Sequence, residues 1–318
     1  SPCCPTSRAT SAEMNAPGGR WRLILGTMAL AAFGFLPFVA LALAALLAAS
    51  RPVTRGERAL TLLAAGLGVG LLLVPAPAGR LDAATRALAV LVTTAFALAA
   101  VLRPAAFLPQ AVRALALGGL ATAIVIEALW GPWGWVELAR DATLVVRATM
   151  QLALDRAPEA AAAYHPLATF WGAAVPALVA LGTLGALAAA WQWHVHIART
   201  PLGPPLAPFR EFCIGERWVW TVVASLAAWI APVAGGVKVA ALNVALISGA
   251  LYALRGAAIV AALAAATGVS MGTLVGLLVL GTVLAVPLAV LVPGLWTLGL
   301  LDTWMDFRRR LNRRSTAL

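Results

Sequence analysis

Charged side chains are scarce in this sequence: they make up 11% of its 318 residues, against about 25% in soluble domains. Lysine occurs once, at Lys238, beside 22 arginines and 12 acids. Cysteine is confined to Cys3, Cys4 and Cys213, which excludes a disulfide framework and leaves the adjacent Cys3-Cys4 as a metal-binding or lipidation pair at most. No phosphate loop is present, because Gly66, Gly68 and Gly70 lie inside an apolar run with no Lys-Ser/Thr after them. No Ser/His/Asp or paired-carboxylate set stands out, so an enzyme is the weakest class, and neither a cofactor nor a metal is implied. His194 and His196 are two apart; on a helix their side chains diverge by roughly 200° and do not chelate as helical neighbours do. The flanking Trp191 and Trp193 read as an interfacial aromatic belt.

What fills the sequence instead is apolar surface: 62% hydrophobic residues and a mean hydropathy of +0.92. A soluble fold has too much surface for its volume to hide this, whereas lipid is an apolar solvent. The apolar stretches are continuous, not alternating, which favours helices over a barrel. The expected fold is all-α, a polytopic bundle. Runs of about 17–25 residues can cross a hydrocarbon core of about 30 Å. Eight candidates follow: 23–49, 59–74, 87–102, 114–130, 167–193, 218–233, 239–266 and 272–301, with seven to nine spans compatible with the pattern. Gly34 and Pro37 lie inside the first run, and Pro287 and Pro293 kink the last. Gly66 and Gly70, four apart, suit close helix packing.

Three segments fall outside the spans. Residues 1–22 read as a disordered tail, partly upstream of a start at Met14. Residues 136–156 carry Glu137, Arg140, Asp141, Arg147, Gln151 and Asp155 at helical spacings, the pattern of an amphipathic helix at the interface. Residues 199–217 hold Pro201, Pro204, Pro205 and Pro208 and form a loop. The membrane domain is thus 23–301, followed by a basic tail, 302–318.

The net charge of +11 does not point to nucleic acid, because the arginines sit between the apolar runs, as membrane flanks do. Arg308, Arg309, Arg310, Arg313 and Arg314 place the tail on the cytoplasmic side of a bacterial inner membrane, against anionic headgroups. The bias toward Ala, Gly and Arg over Lys fits a GC-rich bacterial genome. Eight spans bring the N-terminus to the same side and leave Arg51, Arg55 and Arg58 outside, against the positive-inside rule.

A charge inside a span is costly and marks a functional site by default. Arg255 lies in the seventh run, and the helical wheel puts Ser248 and Tyr252 on its face. This stripe suits an anionic or polar ligand; the alternative is that Arg255 snorkels or pairs with Glu211 or Glu216. Asn243 points away from the stripe and suits interhelical hydrogen bonding. Glu127, the acid well inside an earlier run, reads as an interfacial carboxylate or a proton relay, with Lys238 at a matching depth.

The C-terminal part carries a distinctive combination. Phe209-Arg210-Glu211 precedes a Trp-led span. Asn243 opens a span with Tyr252 and Arg255-Gly256. The closing block holds Gly299, Asp302, Thr303, Trp304, Asp306, Phe307 and Arg308. It resembles the YybS-like family of bacterial membrane proteins (domain of unknown function 2232), in its last third by motif and before that by hydropathy. That family more often has Gln where this chain has Arg255. The resemblance implies a multi-span membrane protein and supplies no activity; the architecture is also similar to the substrate-binding subunits of energy-coupling-factor transporters. Two functions are expected from this reading: a membrane-embedded small-molecule binding or transport-related protein, or a scaffolding protein recruiting partners through its basic tail. After the eighth span the helix is expected to continue, with Asp302 and Asp306 on one face, exposed or turned inward onto basic groups, and Trp304 at headgroup level.

Overall fold

The computed structural model describes residues 17–74, 79–102, 105–155, 161–269, 272–273 and 288–305. Every regular element among them is helical: α1 (Pro17–Ala32), α2 (Leu36–Ala49), α3 (Arg55–Leu73), α4 (Arg80–Leu102), α5 (Phe107–Leu154), α6 (Ala161–Ile197), α7 (Trp218–Ile230), α8 (Gly235–Ala266) and α9 (Leu288–Met305), with a 3-10 turn at Phe209–Glu211. Among the described residues five stretches are long and apolar enough to cross a membrane: Arg55–Leu73, Arg80–Leu102, Phe107–Gln151, Pro166–Ile197 and Gly235–Ala265. Large apolar side chains stay exposed on these helices, among them Leu62, Leu63, Leu117, Leu120 and Ile124. Lipid accepts such a surface; water does not. The chain divides into two compact units, Thr10–Leu206 and, C-terminal to it, Ala207–Leu318, the division falling in the proline-rich stretch.

In the N-terminal unit the first apolar run is two helices, not one span. Gly34 takes φ 79°, a left-handed conformation that glycine reaches without strain. Its N–H donates to Ala31 O at 3.0 Å and that of Phe35 to Leu30 O at 2.8 Å, the Schellman pattern that stops α1. Pro37, in the first turn of α2, costs nothing there because its missing N–H would have had no helical partner. α3 starts on a capping box, Thr54 Oγ1 accepting from Glu57 N while the Glu57 carboxylate accepts from Thr54 N. Between the run at 114–130 and the segment at 136–156 the backbone leaves helical geometry at Gly131 (φ 64°, ψ -166°), so α5 is two helices that meet at a kink, at the Gly131-Pro132 break.

The core of this unit packs Phe38, Val39 and Leu46 of α2, Val92 and Phe96 of α4, Ala111 and Ala114 of α5, and Leu187 and Trp191 of α6. Small residues set the spacing. A Cβ on Gly118 would lie 2.7 Å from the Val92 backbone, and one on Gly68 would press on Leu41 at 2.9 Å. Gly66 and Gly70, expected to pack, face open space; Gly68 between them makes the contact. Trp191 departs from the belt reading as well. It is buried at the centre of this core, its Nε1 donating to Pro204 O at 3.0 Å, so residues 199–206 fold back over it.

In the C-terminal unit α7 and α9 both pack on α8. α7, with 13 residues, reaches about 20 Å, short of a full crossing. The eighth run lies partly outside the described residues, as does its Pro287; within them it is α9, with Pro293 inside the helix.

Candidate functional site

α8 brings Ser248, Tyr252 and Arg255 to one face, as their spacing predicts, and all three are buried. Ser248 Oγ donates back to Val244 O at 2.6 Å, a local bond that lets a hydroxyl sit in apolar surroundings. Arg255 meets Asp302 of α9: Nε and Nη2 donate to Oδ2 at 3.0 and 2.9 Å. Nη1 donates to Ile214 O at 3.2 Å and to Thr303 Oγ1 at 3.3 Å. The guanidinium thus joins α8, α9 and the segment before α7. Arg255 does not snorkel; it is 7% exposed and Asp302 only 3%. Of the two positions open to Asp302, exposed or turned inward, the carboxylate takes the inward one, onto a basic group. The reason is energetic, since a guanidinium among apolar helices needs a counter-charge and hydrogen bonds on its remaining donors.

The two helices touch at backbone distance beside this pair. A Cβ on Gly256 would overlap Leu295 O, and one on Gly299 would overlap Tyr252 O. This close approach lets the Arg255 side chain span the seam. One polar atom remains buried there without a hydrogen-bond partner among the described residues, Trp296 Nε1, which sits over Gly249, while the Tyr252 hydroxyl lies against Thr303. The site therefore offers a paired charge, a phenol and an indole N–H within apolar walls.

The other sequence candidates lie apart from this cluster. Asn243 is buried and Nδ2 donates to Val239 O at 2.8 Å, a bond within α8. Lys238 is half-buried in the first turn of α8. Glu127, in the N-terminal unit, is exposed and accepts a hydrogen bond from Trp135 Nε1 at 3.0 Å across the Gly131 kink. Phe209 and Arg210 form the exposed 3-10 turn, and Trp304 is exposed on α9. Asp306, Phe307, Arg308 and the other tail arginines lie outside the described residues, as do Cys3, Cys4 and Met14.

Two buried polar groups in the N-terminal unit escape sequence reasoning. Glu57 is buried and accepts the backbone N–H groups of Val53, Thr54 and Arg199 at 2.8, 3.0 and 2.9 Å. The capping-box spacing was readable; the 142-residue reach to Arg199 was not. His194 is fully buried beside Trp191, and neither ring nitrogen has a partner among the described residues. His196 diverges from it, its Nδ1 lying 2.8 Å from Gln192 O. Among the described residues no group of His, Cys, Asp and Glu could hold a metal ion. Comparison with models of protein families, with curated proteins and with solved structures gives no match.

Proposed function

We propose that this chain is a membrane-embedded small-molecule binding, transport-related protein, not an enzyme, and that the seam between α8 and α9 carries its site. One observation carries the reading: the buried Trp296 Nε1, without a partner among the described residues, on the same seam as the Arg255–Asp302 pair, which a membrane-length helix holds. A charge buried among apolar helices is expensive and marks a candidate ligand or ion site. A small molecule bearing a carboxylate or phosphate displaces Asp302 as the counter-ion of Arg255, while the phenol and the Trp296 N–H orient its polar groups. An ion pair that exchanges partners lets binding couple to movement of α9 against α8.

The setting we propose is a bacterial inner membrane, the tail after residue 301 cytoplasmic and bound to anionic headgroups, with about eight apolar runs in the bilayer. Membership of the YybS-like family is proposed on the same closing block, of which Asp302 and Trp304 are described. The close contact at Gly256 and Gly299 favours a second reading, a purely structural clasp in a scaffolding protein. One experiment separates them. The full-length protein is purified in native nanodiscs and co-purifying small molecules are identified by mass spectrometry. Arg255→Met with Asp302→Leu replaces the pair by apolar groups of similar volume, a change buried ion pairs tolerate. A folded double variant that loses a molecule carried by the wild type supports binding; identical content in the two proteins supports the clasp.

A further inference from the structure

In the N-terminal unit α1 and α2 both lie along α6. Trp193 Nε1 donates to Thr27 Oγ1 at 2.9 Å, Gly185 faces Leu30, and Gly182 faces Phe35. Beyond α2, Thr200 Oγ1 donates to Ser50 O at 3.2 Å. The chain therefore runs down α6 from its C-terminal end, turns at Gly34 level with Gly182, and runs back. Fifteen residues separate Gly182 from Ile197, a depth of roughly 22 Å, against a hydrocarbon core of about 30 Å. Both outer ends of this hairpin sit at the end of the unit where α6 finishes.

Arginine collects at that end. Glu57 holds the loop before α3 to the segment after α6 through Arg199 N. The exposed side chains of Arg51, Arg55, Arg58 and Arg199 stand on the two segments so joined. Glu57 itself is buried and turned to backbone amides, and Arg58 Nε donates to Pro52 O. No ion pair to these four arginines occurs among the described residues. The opposite end differs. Where α3 ends and α4 begins, Arg80 pairs with Glu137 and Arg86 with Asp82. One end of the unit thus carries Arg51, Arg55, Arg58 and Arg199 with no acid paired to them among the described residues; at the other, Arg80 and Arg86 are paired with acids, while Arg140, next to the Asp141 that faces Gly79, is exposed.

We propose that the arginine-bearing end is the cytoplasmic face of this unit and docks on anionic phospholipid headgroups, the first apolar run entering and leaving the bilayer on that side. Arg51, Arg55 and Arg58 then sit inside, and the conflict with the positive-inside rule that a straight first span creates disappears. Arg20 and Arg22, in the first turns of α1, fall toward the same side.

The test uses the full chain with Cys3, Cys4 and Cys213 changed to Ser and with Gly56→Cys, a position at this end where a Cβ meets nothing within 4 Å. An impermeant maleimide is expected to label it in inside-out vesicles and not in right-side-out spheroplasts; labelling from the outside overturns the proposal. Lipid retention is the second readout, measured by native mass spectrometry after exchange into a phosphatidylglycerol and phosphatidylethanolamine mixture. Changing all four arginines to Gln is expected to lower retained phosphatidylglycerol about tenfold or more, while the four-Lys protein keeps it. Equal retention by the wild type and the Gln protein overturns the docking surface. Should the Gln protein not fold, a wild type that retains the two lipids alike is the overturning result.

Discussion

At the level of single residues, the energetics centre on Arg255. Its guanidinium makes two bonds to Asp302, one to Ile214 O and one to Thr303. Removing one partner of a buried pair leaves the other as an uncompensated charge. Arg255→Met alone is therefore expected to destabilise the purified protein by about 3–5 kcal/mol, and adding Asp302→Leu to recover most of that loss. Denaturation curves of both variants in one detergent check this; equal losses for the single and double variants would count against it. The stripe of Ser248, Tyr252 and Arg255 was readable from spacing alone, because helical geometry dictates which residues share a face. That Asp302 could turn inward was readable too, but not that Arg255 is the group it meets, because only the packing of α9 on α8 brings residues 47 apart together.

At the level of elements, glycine separates positions that look alike in the sequence. Gly34 ends α1 in a left-handed conformation, so Gly34→Ala is expected to cost about 1–2 kcal/mol. Gly256→Ala drives a methyl into the Leu295 carbonyl of α9, and overpacking of this kind costs about 1–3 kcal/mol. Gly66→Ala meets open space within α3 and is expected to hold or raise stability, since alanine is the better helix former. Thermal melts of the three variants rank them; a melting temperature for Gly66→Ala below that of Gly256→Ala would refute the assignment of contacts. Sequence periodicity located the helices but not these differences. The four-residue spacing of Gly66 and Gly70 marks a face on α3, and only the neighbouring helix decides that Gly68, on another face, is the one in contact.

At the scale of the molecule, the five helical stretches of membrane-crossing length among the described residues, with exposed Leu, Ile and Val, call for a lipid solvent. The expressed protein is expected to stay in the membrane pellet through an alkaline carbonate wash and to need detergent for extraction. Release of the intact protein by carbonate would show that its apolar faces are covered by something other than lipid.

The sequence by itself determined the solvent and the element type. Scarce charge, long continuous apolar runs and alanine-rich helical stretches leave a helical membrane protein as the arrangement that satisfies both backbone and side chains. These are local and compositional properties, so one chain read alone carries them. The tertiary structure alone decided three things: that the first apolar run folds back at Gly34, that Arg255 is closed by Asp302, and that Glu57 reaches Arg199. Each depends on groups distant in sequence coming within hydrogen-bond or van der Waals range. An apolar run of sufficient length reads the same whether it crosses or returns, because hydropathy records the solvent of a helix and not its direction.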